Sequence, residues 1–290
     1  MDIKKIMVIG AGIMGHGIAM VFARSGFHVS LVDVNEKIIQ KAMDNIKKFL
    51  EGSVKREKMT PQEADSVLSL LRVSTYMDVE ARDADFLIEA IVENKDAKAG
   101  LFSKLNNLCK AETIFATNTS QLSVSELGLA SQRPEKFIGM HWFNPPALMR
   151  LIEIPAGVRT SQETVNTVVD LAKKVGKQPF VCKDSPGFVV NRILNPWYNE
   201  AMRLVDERVA SVEDIDKALK VGGGFRMGPL ELRDMIGLDT ALFLTESLYQ
   251  NLRNEKFNPP RCLRNLVYGG NLGRKTGKGF YDYSDKTSKS

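Results

Sequence analysis

The run Gly10-Ala11-Gly12-Ile13-Met14-Gly15 constrains this chain more than any other short segment. It follows an apolar stretch, Ile6-Met7-Val8-Ile9, and opens a helical pattern that Gly26 stops. Glycines at this spacing allow a tight turn, a close backbone approach to a pyrophosphate, and close packing of helix on strand. The pyrophosphate then rests on free amides at the positive end of the helix. A second strand pattern over 29–34 carries Asp33 near its end, roughly 20 residues past the first glycine, as a dinucleotide fingerprint requires. Gly10, Gly12, Ile13, Met14 and Gly15 are therefore candidate cofactor contacts. Asp33 is suited to accept hydrogen bonds from the adenosine ribose, and its charge repels a 2′-phosphate, so NAD is expected rather than NADP.

The pattern beyond Asp33 extends this start into a domain. Two amphipathic stretches, 36–50 and 61–71, flank a basic segment and predict a helical hairpin inserted over about 36–71. Strand patterns resume at 85–89 and 113–117 with a helix-like 95–109 between them. This alternation predicts an α/β fold, a Rossmann-type doubly wound sheet. Residues 137–141, 151–154 and 179–181 are expected as further strands. After Asp184 the character changes to long helical patterns at 188–206 and 238–252, with a capping signal at Ser211 and no strand pattern until Phe280-Tyr281. The expected division is a nucleotide-binding domain over 1–185 and an all-helical domain over 186–290, with a frayed polar tail from 285.

Composition narrows the class. A length of 290 residues, 43% hydrophobic and 26% charged, suits a soluble protein of one large or two moderate domains. No apolar run spans a bilayer and the start of the chain lacks a signal-peptide profile, so no membrane partner is expected. Cys109, Cys182 and Cys262 are scattered without a CxxC, which fits reduced thiols in the cytoplasm and no metal site. The net charge of +5 comes without a basic arm or an aromatic RNA platform, so no nucleic acid is expected. A modest positive excess serves to attract small polyanions such as nucleotides and coenzyme A thioesters.

Three polar residues interrupt or end apolar runs: Ser120, His141 and Glu153. Strands at those places would bring them to one sheet edge. His141 alone fits a satisfied core histidine as well as a catalytic one. Glu153, on a strand that can lie beside it, favours catalysis, because a His–Glu pair fixes the tautomer and stabilises the imidazolium. Ser120 fits either a helix cap ahead of 122–127 or a site residue, and Asn191 needs partners from backbone or ligand. His16 and His28 are expected at the surface and in a structural position.

The chain resembles the short-chain L-3-hydroxyacyl-CoA dehydrogenases, and within them the bacterial 3-hydroxybutyryl-CoA dehydrogenases. The resemblance runs through the glycine turn, Glu89-Ala90-Ile91-Val92-Glu93-Asn94, Thr117-Asn118-Thr119-Ser120 and Gly139-Met140-His141-Trp142-Phe143-Asn144-Pro145. It continues through Asp184-Ser185-Pro186-Gly187, Met227-Gly228-Pro229 and Gly273-Arg274-Lys275-Thr276-Gly277. It implies NAD-linked oxidation of a short (S)-3-hydroxyacyl-CoA by a homodimer, with His141 as base, Glu153 as its partner, and Ser120 and Asn191 holding the C3 oxygen. It further implies that Glu93, Lys98, Asn118, Asn144 and Lys275 line the cofactor site, and that Ser53, Lys55 and Lys58 lie where coenzyme A phosphates are met. A solvated loop is the other reading of that basic stretch. Gln121, Trp142, 146–150 and 222–226 depart from the family pattern, and these positions are expected to border the acyl pocket.

Overall fold

The computed structural model describes residues 3–284. Its first element, β1 (Lys5–Ile9), is buried from Ile6 onward, as a parallel strand covered on both faces must be. The glycine turn leads into α1 (Ile13–Arg24), and Gly26, at φ +87°, returns the chain to β2 (His28–Val32). The hairpin α2 (Glu36–Lys55) and α3 (Pro61–Ser69) forms the crossover to β3 (Leu71–Ser74). Asn35 caps α2, and Thr60 with Glu63 forms a reciprocal cap on α3, so both helix starts are encoded locally. Ile39, Ala42, Ile46 and Leu50 recur at helical spacing and are buried in one core with Ile18 and Phe22 of α1. Ile39, Ile46 and Leu50 each contribute up to about 3 kcal/mol of apolar burial, which seats the hairpin against α1.

The chain continues through α4 (Met77–Glu80), β4 (Phe86–Glu89), α5 (Lys95–Asn106), β5 (Ile114–Thr117), α6 (Val124–Ala130) and β6 (Phe137–Gly139). The six strands pair in the order β3-β2-β1-β4-β5-β6, all parallel. This doubly wound order reverses between β1 and β4, and ligands bind beyond the carboxyl ends of strands at such a switch point. Ile6, Val8, Phe86 and Ile88 join the core beneath α1. Phe115 instead meets Phe102 of α5, with ring centroids 6.0 Å apart.

In the first unit two sequence expectations need correction. The helix expected over 61–71 ends at Ser69, and Leu71–Ser74 is an edge strand of the sheet. Its residues are partly exposed, so the segment lacks the apolar run that marks a central strand. The stretch 137–141 is not one strand either. β6 stops at Gly139, and β7 (His141–Trp142) belongs to a separate sheet with β8 (Leu151–Ala156) and β9 (Gln178–Lys183). α7 (Gln162–Lys174) is the crossover from β8 to β9. A Cβ on Gly139 would lie 2.3 Å from Pro155 Cγ, so glycine is what lets the chain pass this close to β8 as it changes sheets.

The described chain divides into two compact units, Met1–Ser185 and Pro186–Ser290. The second holds α8 (Val190–Asp206), α9 (Val212–Val221), α10 (Pro229–Ile236), α11 (Leu238–Leu252) and α12 (Arg261–Tyr268). Its own core is built on Tyr198, Met202, Leu230, Leu238 and Leu263. Ser211 caps α9 as expected. Phe280 and Tyr281 do not form a strand: their amides donate to the Asp234 carboxylate at 3.0 and 2.9 Å. The polar tail at 285–290 lies outside the described residues.

Candidate active site

His141 and Glu153 stand directly opposite each other in the antiparallel pair of β7 and β8. That register delivers both side chains to one face, while their neighbours Trp142 and Ile152 turn into the core. His141 is 5% exposed and Glu153 fully buried. Glu153 Oε2 lies 2.7 Å from His141 Nδ1. A carboxylate accepts, so in the neutral form of the ring Nδ1 carries the hydrogen and Nε2 keeps its lone pair. Nε2 lies 3.2 Å from Ser120 Oγ, completing a serine–histidine–carboxylate chain. The trio comes from two sheets, not from one edge: Ser120 follows β5 of the large sheet, and the pair belongs to the small one. Ser120 is not the cap of α6, since Ser123 accepts from the Glu126 amide in that role.

A buried polar network supports the Ser120 turn. Glu93 accepts the Ser120 amide at 2.9 Å and the Thr119 hydroxyl. Lys98, only 1% exposed, joins Glu93 at 3.0 Å and Glu89 at 2.6 Å. Glu89 also accepts from the Thr117 hydroxyl and the Ile91 amide, both at 2.7 Å. Burial pushes the Glu89 carboxyl above the ordinary carboxylate range against the opposing pull of Lys98. Sequence reasoning gave Glu89 no role. The signal was there, because a carboxylate closing the apolar strand Phe86-Leu87-Ile88-Glu89 must find a cation or donors. Asn118 Oδ1 accepts the Trp142 amide at 2.9 Å, tying the turn after β5 to β7.

The glycine turn is shaped for a dinucleotide. A Cβ on Gly10, which sits at φ +96°, would lie 2.6 Å from Ala90 O, and one on Gly15 would lie 1.6 Å from Gly10 O. Around Gly12 the corresponding space is open within 4 Å, so a ligand can approach the backbone there. α1 has no side-chain cap and no acidic residue in its first turn, which leaves the amides at Ile13 and Met14 to an anion. Asp33, just past β2, accepts the Ala11 amide at 2.8 Å and the Asn35 amide at 3.2 Å. It therefore braces the turn. These residues fit a dinucleotide pyrophosphate.

The remaining candidates are dispersed. Ser53 is buried and its hydroxyl donates to Phe49 O at 2.9 Å. α2 runs on to Lys55, which is exposed together with Lys58. Asn144 is exposed and precedes a cis bond to Pro145. Asn191 lies half-buried in the first turn of α8, and Lys275 Nζ is 2.6 Å from both oxygens of Asp239; both belong to the second unit. Two of the departures are buried. Trp142 is 2% exposed and packs on Phe22 with ring centroids 5.6 Å apart, and Gln121 is 8% exposed.

Comparison with known proteins gives the family. Residues 5–185 match the model of the 3-hydroxyacyl-CoA dehydrogenase NAD binding domain, and residues 187–283 match that of the family's C-terminal domain. The chain is 45% identical over 288 residues to a probable 3-hydroxybutyryl-CoA dehydrogenase of Bacillus subtilis, covering 99% of this chain and 100% of that one. The crystal structure of (S)-3-hydroxybutyryl-CoA dehydrogenase from Ralstonia eutropha superposes with a TM-score of 0.94 at 41% identity, over 98% of this chain and 100% of that one. A diketoreductase acting on dicarbonyl compounds gives a TM-score of 0.84 at 31% identity, over 98% and 100% of the two chains. The chain belongs to the 3-hydroxyacyl-CoA dehydrogenase family.

Proposed function

We propose that this NAD-dependent 3-hydroxyacyl-CoA dehydrogenase acts on short acyl chains, interconverting (S)-3-hydroxybutyryl-CoA and acetoacetyl-CoA, with His141 as general base and acid. The observation that carries the reading is the chain from Ser120 Oγ through His141 to Glu153. In oxidation Nε2 takes the C3 hydroxyl proton while hydride leaves C3. NAD, when bound, accepts that hydride. Glu153 offsets the imidazolium charge and keeps the ring in the tautomer that presents Nε2. The Ser120 hydroxyl, already within reach of Nε2, holds the substrate oxygen so that the developing carbonyl is aligned. In reduction His141 returns the proton. Asn191 is assigned a hydrogen bond to the substrate, and the exposed Lys55 and Lys58 an attraction for coenzyme A phosphates.

A homodimer belongs to the same proposal, supported by exposed apolar side chains on the second unit, among them Ile193, Phe243 and Tyr268. No helix among the described residues is long and apolar enough to cross a membrane. The likeness to a diketoreductase favours one second reading, in which the keto substrate carries no coenzyme A. NADH oxidation measured with matched acetoacetyl-CoA and acetoacetate tests both. The first reading expects efficient turnover of the thioester alone, and comparable efficiency with the free acid overturns it.

A further inference from the structure

We propose that Lys177 is a positioning residue that fixes segment 143–149 beside His141 and so sets how the nicotinamide end of the cofactor is received; this rests on the function proposed above. Lys177 follows α7 and is 9% exposed. Its ammonium donates to Pro146 O at 2.5 Å and to Met149 O at 2.7 Å, and lies 5.4 Å from the centre of the Trp142 ring. Among the described residues no carboxylate pairs with it. A buried ammonium served only by carbonyls and a ring face is costly compared with an apolar side chain of the same length. What the charge provides is the placement of those two carbonyls.

The segment that they belong to is short and closed. The amides of Leu148 and Met149 both donate to Pro145 O at 3.0 Å, while Pro146 O and Met149 O take their hydrogen bonds from Lys177. One side of the segment touches the dinucleotide helix: a Cβ on Gly17 of α1 would lie 2.9 Å from Pro146 Cγ. Its beginning touches the proposed base, with the Phe143 and His141 rings 4.7 Å apart between centroids. A cofactor with its pyrophosphate on the start of α1 and its reacting ring at His141 would lie beside this segment, which touches both α1 and the His141 ring. Displacing the segment should therefore disturb the nicotinamide end and leave the adenosine end, held at the glycine turn and Asp33, as it was.

The test compares the full-length protein with Lys177→Met and Lys177→Arg. The measurements are kcat with acetoacetyl-CoA and NADH, dissociation constants for NADH and for ADP-ribose, and the melting temperature. Lys177→Met should lose about tenfold or more in kcat and bind NADH several-fold more weakly, with ADP-ribose affinity kept within about twofold. Lys177→Arg, which can donate to both carbonyls, should recover most of the loss. Unchanged kcat and NADH affinity in Lys177→Met would overturn the proposal. So would an equal loss for NADH and ADP-ribose without rescue by arginine, which is the mark of general fold support. Should Lys177→Met fail to fold, Lys177→Gln is judged by the same comparison. A wild type without thioester turnover sinks the proposed function instead, and the NADH to ADP-ribose comparison still decides the role of Lys177.

Discussion

At the scale of single residues, the ambiguity of His141 is resolved by what sits across the strand. The sequence showed a histidine and a carboxylate in separate apolar runs, but only the register of β7 on β8 places them opposite each other. Ser120 was legible as a polar residue after a strand and illegible in role, since the cap proved to be Ser123. His141→Gln should lower kcat by about 10²–10⁴-fold while NADH binding stays near wild type, because the glycine turn lies on other elements. Glu153→Gln should also lower kcat severely, through lost charge compensation and tautomer control. Steady-state turnover beside NADH fluorescence titration checks both, and near-normal kcat in His141→Gln removes it from the chemistry. Asp33 carries a double expectation, since its carboxylate already accepts the Ala11 amide at 2.8 Å. Asp33→Ser should shift the ratio of NADH to NADPH efficiency toward NADPH, yet lower both efficiencies as the turn loses its acceptor. An unchanged ratio would show that coenzyme choice is set elsewhere.

At the scale of elements, the glycine turn, the hairpin and the central strands were legible because caps, glycines and apolar runs are local signals. β3 and the separation of β6 from β7 were not. The first is a half-exposed edge, and the second depends on a glycine whose importance comes from Pro155, a neighbour distant in sequence. The network under the Ser120 turn was hidden for the same reason, since Glu89, Glu93 and Lys98 meet only after β4 and α5 are placed. This network yields a stability prediction. Lys98→Met would leave the fully buried Glu89 carboxylate without its cation, 2.6 Å away in the native protein. Breaking a buried pair from one side costs about 3–5 kcal/mol. Urea unfolding should show a loss of that size, and the double variant Lys98→Met/Glu89→Gln should recover part of it. Equal stability of the single variant and the wild type would mean that Glu89 is satisfied by its hydroxyl and amide donors alone.

At the scale of the whole molecule, the change of character after Asp184 in the sequence coincides with the division of the structure at Ser185. Each unit has a core of its own, one built around β1, β4 and α1, the other around Tyr198, Met202 and Leu263. What the sequence could not say is which apolar residues those cores leave uncovered. In the second unit Ile193 is 65% exposed, Phe243 52% and Tyr268 75%. An association surface would cover such side chains, and a closed dimer is the commonest way to do so. The full-length chain should therefore behave as a dimer in size-exclusion chromatography with light scattering. A chain cut after Ser185 keeps the glycine turn, Asp33 and the chain from Ser120 to Glu153, so it should bind NADH as a monomer. It should also lose most turnover, having lost Asn191. A stable dimer from that shortened chain would move the interface to the first unit, and undiminished turnover would strip Asn191 of its proposed part in binding substrate.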